Sequence, residues 1–195
     1  MDILLASNNR HKHEEFTRLF PGYKILTPRD AGIGFEYEEG DSSFLENAMG
    51  KARALYALCH APVLADDSGL CVPALGGEPG VHSSRFGSSG GRILEAAERN
   101  AYLLSRMRGM RERAAFFVCC LVLVLDTDRY LVAQETVHGA ITEEPRGIQG
   151  FGYDPLFGLP PSGRTIAELS DREKDMISHR GRACRRIHAA LEKGE

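Results

Sequence analysis

Several things are scarce in this sequence of 195 residues, and each scarcity excludes a class of protein. The longest apolar run, residues 114–125, has twelve residues, against about 20 for a membrane-spanning helix. No membrane association is therefore expected. The start, Met1-Asp2-Ile3-Leu4-Leu5-Ala6-Ser7-Asn8, lacks a basic segment and turns polar at once, unlike a signal peptide. There is no basic surplus, with 24 Lys+Arg against 27 Asp+Glu and a net charge of −3. That balance argues against a nucleic-acid polymer as partner. It leaves room for a small polyanion held by a few local cations or a metal ion.

The five cysteines (Cys59, Cys71, Cys119, Cys120 and Cys184) form no Cys-x-x-Cys, and their number is odd. A reduced, cytoplasmic protein is expected, with Cys119 and Cys120 as small core residues. No Gly-x-x-x-x-Gly-Lys-[Ser/Thr] loop occurs, and Gly32-x-Gly34 lacks the third glycine of a dinucleotide fingerprint. Ser68 has no Gly-x-Ser-x-Gly frame, which argues against a serine nucleophile. The histidines form no metal-ligand set, which argues against zinc.

What is present is an ordinary globular composition, 43% hydrophobic and 26% charged. The length predicts a single domain over residues 1–195, at most a two-lobed one. Residues 2–6 read as a buried strand, 11–20 as a helix with Phe16, Leu19 and Phe20 on one face, and 23–27 as a second strand. Ser43-Phe44-Leu45-Glu46 is a capping-box pattern opening a helix to about His60. Residues 63–65 read as a short strand ending at Asp66-Asp67-Ser68-Gly69. Residues 69–91 hold 7 of the 21 glycines and read as a long loop. Residues 92–108 read as a helix, and 114–125 with 129–138 as a hairpin whose first strand is buried on both faces. Residues 143–163, with four of the nine prolines, read as a second loop. A last helix starts near Ser178, with Ala183, Cys184, Ile187, Ala190 and Leu191 facing the core. Interleaved strands and helices make the class α/β, and the hairpin makes the sheet mixed.

Four clusters carry possible chemistry. Ser7-x-Asn9-x-x-Lys12 sits where a strand feeds a helix, so free N–H groups, the dipole and an ammonium favour an anion there. Ser7 or Asn9 serves equally well as a plain N-cap. Glu36, Glu38, Glu39, Asp41 and Glu46 fall within eleven residues that hold no Lys or Arg. Most of them read as a solvated face. Asp66-Asp67 offers oxygen ligands suited to Mg²⁺, or an Asx turn for one of the two. Gly150-Phe151-Gly152-Tyr153-Asp154-Pro155 offers aromatics for stacking on a base and an acid for a base N–H, or simply a loop anchored by its aromatics. Glu173-Lys174 and Ser178-His179-Arg180 offer a phosphate contact and donors to a purine carbonyl.

Taken in order, these motifs resemble those of the inosine/xanthosine triphosphate pyrophosphatases. The matching pieces are Ser7-x-Asn9-x-x-Lys12, Phe44-x-Glu46-Asn47-Ala48, Ala65-Asp66-Asp67-Ser68-Gly69-Leu70 and Ala74-Leu75-Gly76-Gly77-x-Pro79-Gly80. They continue with Phe151-Gly152-Tyr153-Asp154-Pro155, Ala167-Glu168-Leu169 and Glu173-Lys174-x-x-Ile177-Ser178-His179-Arg180. The resemblance implies an elongated mixed sheet flanked by helices, with two lobes and the active-site cleft between them, in a homodimer. It implies Mg²⁺-dependent hydrolysis of non-canonical purine nucleoside triphosphates (ITP, dITP, XTP) to monophosphate and pyrophosphate. By the same resemblance Ser7, Asn9 and Lys12 hold the phosphates, and Asp67 is metal ligand and proton acceptor. Glu39 is the second metal ligand, and Ser68 and Lys174 contact substrate. Phe151, Gly152, Tyr153 and Asp154, with His179 and Arg180, form the base pocket. Glu38-Glu39-Gly40-Asp41 departs from the family's Glu-Glu-Thr-Gly, which leaves Glu38 as an alternative to Glu39. A pyrophosphatase for other modified nucleotides and an inactive nucleotide sensor are the competing functions.

Overall fold

The computed structural model describes residues 1–192; the last three residues of the expected 1–195 domain lie outside it. Six strands form one sheet in the order β2-β1-β3-β4-β5-β6. They are β1 (Asp2–Leu5), β2 (Lys24–Leu26), β3 (Val63–Cys71), β4 (Ala114–Val124), β5 (Tyr130–Ile141) and β6 (Phe157–Gly158). Among the described residues the α-helices are α1 (Arg10–Leu19), α2 (Phe44–Cys59), α3 (Ala96–Arg106), α4 (Asp171–Ile177) and α5 (His179–Leu191). β1 pairs in parallel with β2 and β3, whereas β6 is antiparallel to β5, so the sheet is mixed as expected. Among the described residues no helix is long and apolar enough to cross a membrane.

The chain divides into two compact units, with β3, β4 and β5 contributing residues to each. The first comprises Met1–Asp67, Cys119–Glu135 and the chain from His179 onward. Side chains alternate across a strand, and here both faces are covered. Ile3, Leu5, Leu64, Cys119, Leu121 and Leu123 pack with Phe16 and Phe20 of α1 and with Ala183, Cys184 and Ile187 of α5. Leu4, Ala6, Val63, Ala65, Cys120, Val122 and Val124 pack with Ala48, Ala52 and Leu55 of α2. The adjacent Cys119 and Cys120 are thus core residues of opposite faces. Both are free thiols, as are the other three cysteines.

The second unit comprises Ser68–Val118 and Thr136–Ser178. Its core gathers Leu70 and Val72, Leu103 and Met107 from the α3 region, Phe117 of β4, Val137 and Ile141 of β5, and Tyr153, Leu156, Phe157 and Ile166.

Three readings of the sequence need correction. The third strand does not stop at Ala65 but runs nine residues to Cys71, because buried partners meet its polar side chains. The glycine-rich stretch 69–91 is accordingly not all loop: it opens on the end of β3 and holds two short 3-10 helices, Pro73–Leu75 and Gly80–His82. The helix expected from residue 92 begins at Ala96, where the Glu98 carboxylate accepts the Glu95 N–H and fixes the start. In addition α4 precedes the last helix, opened by a reciprocal cap between Ser170 and Glu173.

Candidate active site

The geometry of β3 sorts the acid pair. Leu64 faces α1 and α5, and Ala65 faces α2. The pleat continues this alternation, so Asp66 falls on the α1/α5 face and Asp67 on the α2 face. The partners agree. Lys12 of α1 meets Asp66 Oδ1 at 2.9 Å, and Arg180 of α5 donates from Nε to Asp66 Oδ2 at 3.3 Å. Arg180 Nη1 also donates to Glu15 Oε2 of α1 at 3.0 Å. On the other face Asn47 of α2 donates to Asp67 Oδ2 at 2.9 Å. One turn on, Lys51 reaches the Asp66 backbone carbonyl at 2.7 Å and pairs with Glu39 Oε1. Both acids lie within the strand rather than in a turn after it.

The two acids consequently differ in character. Burial opposes ionisation of Asp66, but Lys12, Arg180 and Lys51 outweigh it and hold the carboxyl well below the usual range. Burial pushes the Asp67 carboxyl up, and the negative charge of Glu39 pushes it the same way against the pull of Lys51. Asp67 is therefore the acid of the pair with the greater affinity for a proton.

Glu39 is brought to this site by Asn47, which accepts the Gly40 N–H at 2.9 Å and donates to the Gly40 carbonyl at 3.1 Å. Glu38 is exposed and lines, with Asn8, Glu36 and Tyr37, an open depression of about 560 Å³. Of the two candidates, Glu39 is the one whose charge acts on Asp67. Asn9 is the N-cap of α1: its Oδ1 accepts from His11 N at 3.0 Å and Lys12 N at 3.3 Å. The Ser7 hydroxyl accepts the Asn9 N–H at 3.1 Å. His179 opens α5 and is buried beside Arg180.

In the second unit, Ser68 follows Asp67 in β3 and is half-buried. Residues 150–154 form a tight turn around Asp154. The buried Asp154 Oδ2 accepts the Phe151 N–H at 2.8 Å and the Lys174 ammonium at 2.8 Å. Lys174 also stands 4.9 Å from the centre of the Phe151 ring. Gly150 has φ +71°, and a Cβ there would overlap Asp154 Oδ2. The Tyr153 hydroxyl donates to the Ser83 carbonyl at 2.8 Å. Asp154 and Lys174, read separately from the sequence, are thus partners of one another. Glu173 serves the cap of α4 and pairs with Arg164.

Reading by motif overlooked Glu15 and Lys51 and assigned no role to Asn47. A signal existed for two of them. Asn47 and Lys51 are four residues apart on the helix face that also carries Ala48, Ala52 and Leu55, where polar groups are out of place without partners.

Fold and site together define a mixed α/β protein built around a carboxylate pair compensated by lysine and arginine. The chain belongs to the Ham1 family, whose model matches residues 3–190. It is 51% identical over 94% of both chains to a protein of Treponema denticola named dITP/XTP pyrophosphatase. A Thermus thermophilus protein of the same name is 46% identical, covering 100% of this chain and 93% of its own. Among solved structures, the HAM1 protein of Coxiella burnetii matches with a TM-score of 0.88 at 37% identity over 99% of each chain.

Proposed function

We propose that this protein hydrolyses non-canonical purine nucleoside triphosphates (ITP, dITP, XTP) to the monophosphate and pyrophosphate. The observation that carries the reading is the division between the two acids. One is locked as a counter-ion for Lys12 and Arg180, and the other, on the opposite face beside Asn47, is left with the greater affinity for a proton. The names of its relatives agree with this activity.

Asp67 takes the proton of a water directed at the α-phosphorus, and the bond to pyrophosphate breaks. Lys12 carries three ammonium donors, so it can keep Asp66 and still meet a phosphate oxygen beside Ser7 and Asn9. Lys174 retains donors beyond Asp154 in the same way, and Ser68 adds a hydroxyl. The Phe151 ring stacks on the base beside Gly152, Tyr153 and Asp154, and His179 and Arg180 are proposed as donors to a purine carbonyl. Inosine and xanthosine present a 6-oxo acceptor and an N1–H donor. Adenine reverses both, and a pocket built for the first pattern can reject the second by about 10⁴-fold.

Mg²⁺ is the proposed cofactor. Glu39 and Asp67 supply two hard oxygen donors whose like charges raise the proton affinity of Asp67. That chemistry fits a cation which takes one or two carboxylates and completes its shell from water and phosphate. Bound there, it would offset the charge of the triphosphate and of the departing pyrophosphate. A homodimer in the cytoplasm, acting on a small-molecule nucleotide rather than a polymer or membrane, completes the proposal.

Product analysis tests it. ITP with Mg²⁺ should release pyrophosphate, and a chelator should abolish turnover until Mg²⁺ is restored. Orthophosphate would indicate a phosphatase, preference for a modified pyrimidine nucleotide a different substrate class, and binding without turnover a sensor. Sedimentation should give twice the chain mass of 21.5 kDa.

A further inference from the structure

α3 belongs to the second unit and carries none of the residues assigned so far, yet Asn100 turns a buried side chain onto the 150–154 turn. Asn100 is 6% exposed, and its Nδ2 donates to the Gly152 carbonyl at 3.1 Å. Its Oδ1 is also buried and has no hydrogen-bond partner among the described residues. A leucine would fill the same space without leaving a buried carbonyl oxygen unmet. Packing alone therefore does not account for an amide here. What the amide supplies is a tether. Gly152 has φ +64° and divides Phe151 from Tyr153, so fixing its carbonyl fixes the peptide that aims both rings. The preceding residue works on the same turn: the Arg99 guanidinium lies 5.9 Å from the centre of the Tyr153 ring while Nη1 donates to the Leu94 carbonyl at 2.7 Å.

We propose that Asn100 is a positioning residue for base selection, holding through the Gly152 carbonyl the turn on which the base is read. The inference rests on the proposed nucleotide activity and deepens it.

Asn100→Leu keeps the volume and removes the donor. Asn100→Asp keeps the shape and sets a carboxylate against the Gly152 carbonyl. Each should lower kcat/KM for ITP about tenfold, mainly through KM, while changing kcat/KM for ATP little. That is the loss expected when one buried hydrogen bond to a discriminating element goes. Asn100→Gln, which keeps the donor on a longer stem, should recover part of the ITP preference. An unchanged ITP-to-ATP ratio in the soluble variants, with only a lower melting temperature, would overturn the inference and leave the proposed function standing. A wild-type protein that releases no pyrophosphate from ITP, or makes no distinction between ITP and ATP, would overturn both. Should Leu and Asp both fail to fold, Asn100→Ser, whose short side chain withdraws the donor from the Gly152 carbonyl, decides: a ratio equal to wild type counts against the inference, and a lowered one supports it.

Discussion

Asp66 and Asp67 are neighbours of one residue type, yet they should fail in different ways when altered. Asp67→Asn removes the proton acceptor and weakens one of the two proposed Mg²⁺ ligands, while Asn47 and the asparagine can still exchange a hydrogen bond. Losing a general base costs about 10²–10⁴-fold. Turnover of ITP should fall by roughly that much while nucleotide still binds, measurable as kcat against a fluorescence or calorimetric Kd. Asp66→Ala removes the buried carboxylate that Lys12 and Arg180 share. Breaking a buried pair from one side costs about 3–5 kcal/mol, so this variant should unfold at a markedly lower urea concentration. If Asp66→Ala keeps wild-type stability, the pair is not the counter-ion set described above. The sequence showed that two acids stood together, but not that they would part. Asp-Asp-Ser-Gly has the composition of a turn, and only the three cations and Asn47, drawn from positions up to 114 residues away, make it a strand.

Elements differ in how openly they declare themselves. β1, α1, α2 and the β4–β5 hairpin follow from apolar periodicity because packing alone decides them. α4 does not, since Asp171-Arg172-Glu173-Lys174-Asp175 presents five charges in a row. Its one buried side chain, Lys174, is held by Asp154 from a distant loop. α2 illustrates an element serving a neighbouring segment. Gly50 lies in its middle, and a Cβ there would collide with the Tyr37 ring, whose hydroxyl end is partly exposed and able to move. Gly50→Ala should therefore leave stability level or raise it by up to about 1 kcal/mol, the helix-propensity gain. It should also displace Tyr37 and with it the approach of Glu39, two residues on. Higher melting temperature with reduced kcat is the expected signature; unchanged kcat would separate the Tyr37 contact from the site.

At the scale of the molecule, four of the five thiols are buried and only Cys59 is partly open. A thiol reagent should titrate one group rapidly in the native protein and all five in denaturant. The four slow thiols are spread over both units, with Cys71 in the second and Cys119, Cys120 and Cys184 in the first. Labelling in rising urea, read residue by residue, should show whether the units open together or in turn. A single common midpoint would mean that they unfold as one. The composition anticipated Cys119 and Cys120 as buried thiols. The boundaries of the two units left no mark in the sequence, because three of them fall inside the continuous strands β3, β4 and β5 and the fourth between α4 and α5, rather than at linkers.

The pleat of β3 has one more consequence. What separates a counter-ion from a base in this protein is whether its position in the strand is even or odd. A one-residue deletion between Val63 and Asp66 would keep both aspartates and their order, yet move each to the opposite face. The acid built for the proton would be handed to Lys12 and Arg180, Ser68 would take its place beside Asn47, and the other acid would fall where Ala65 packs against α2. Substitution can erode this chemistry by degrees, but a shift of register would dismantle it in a single step.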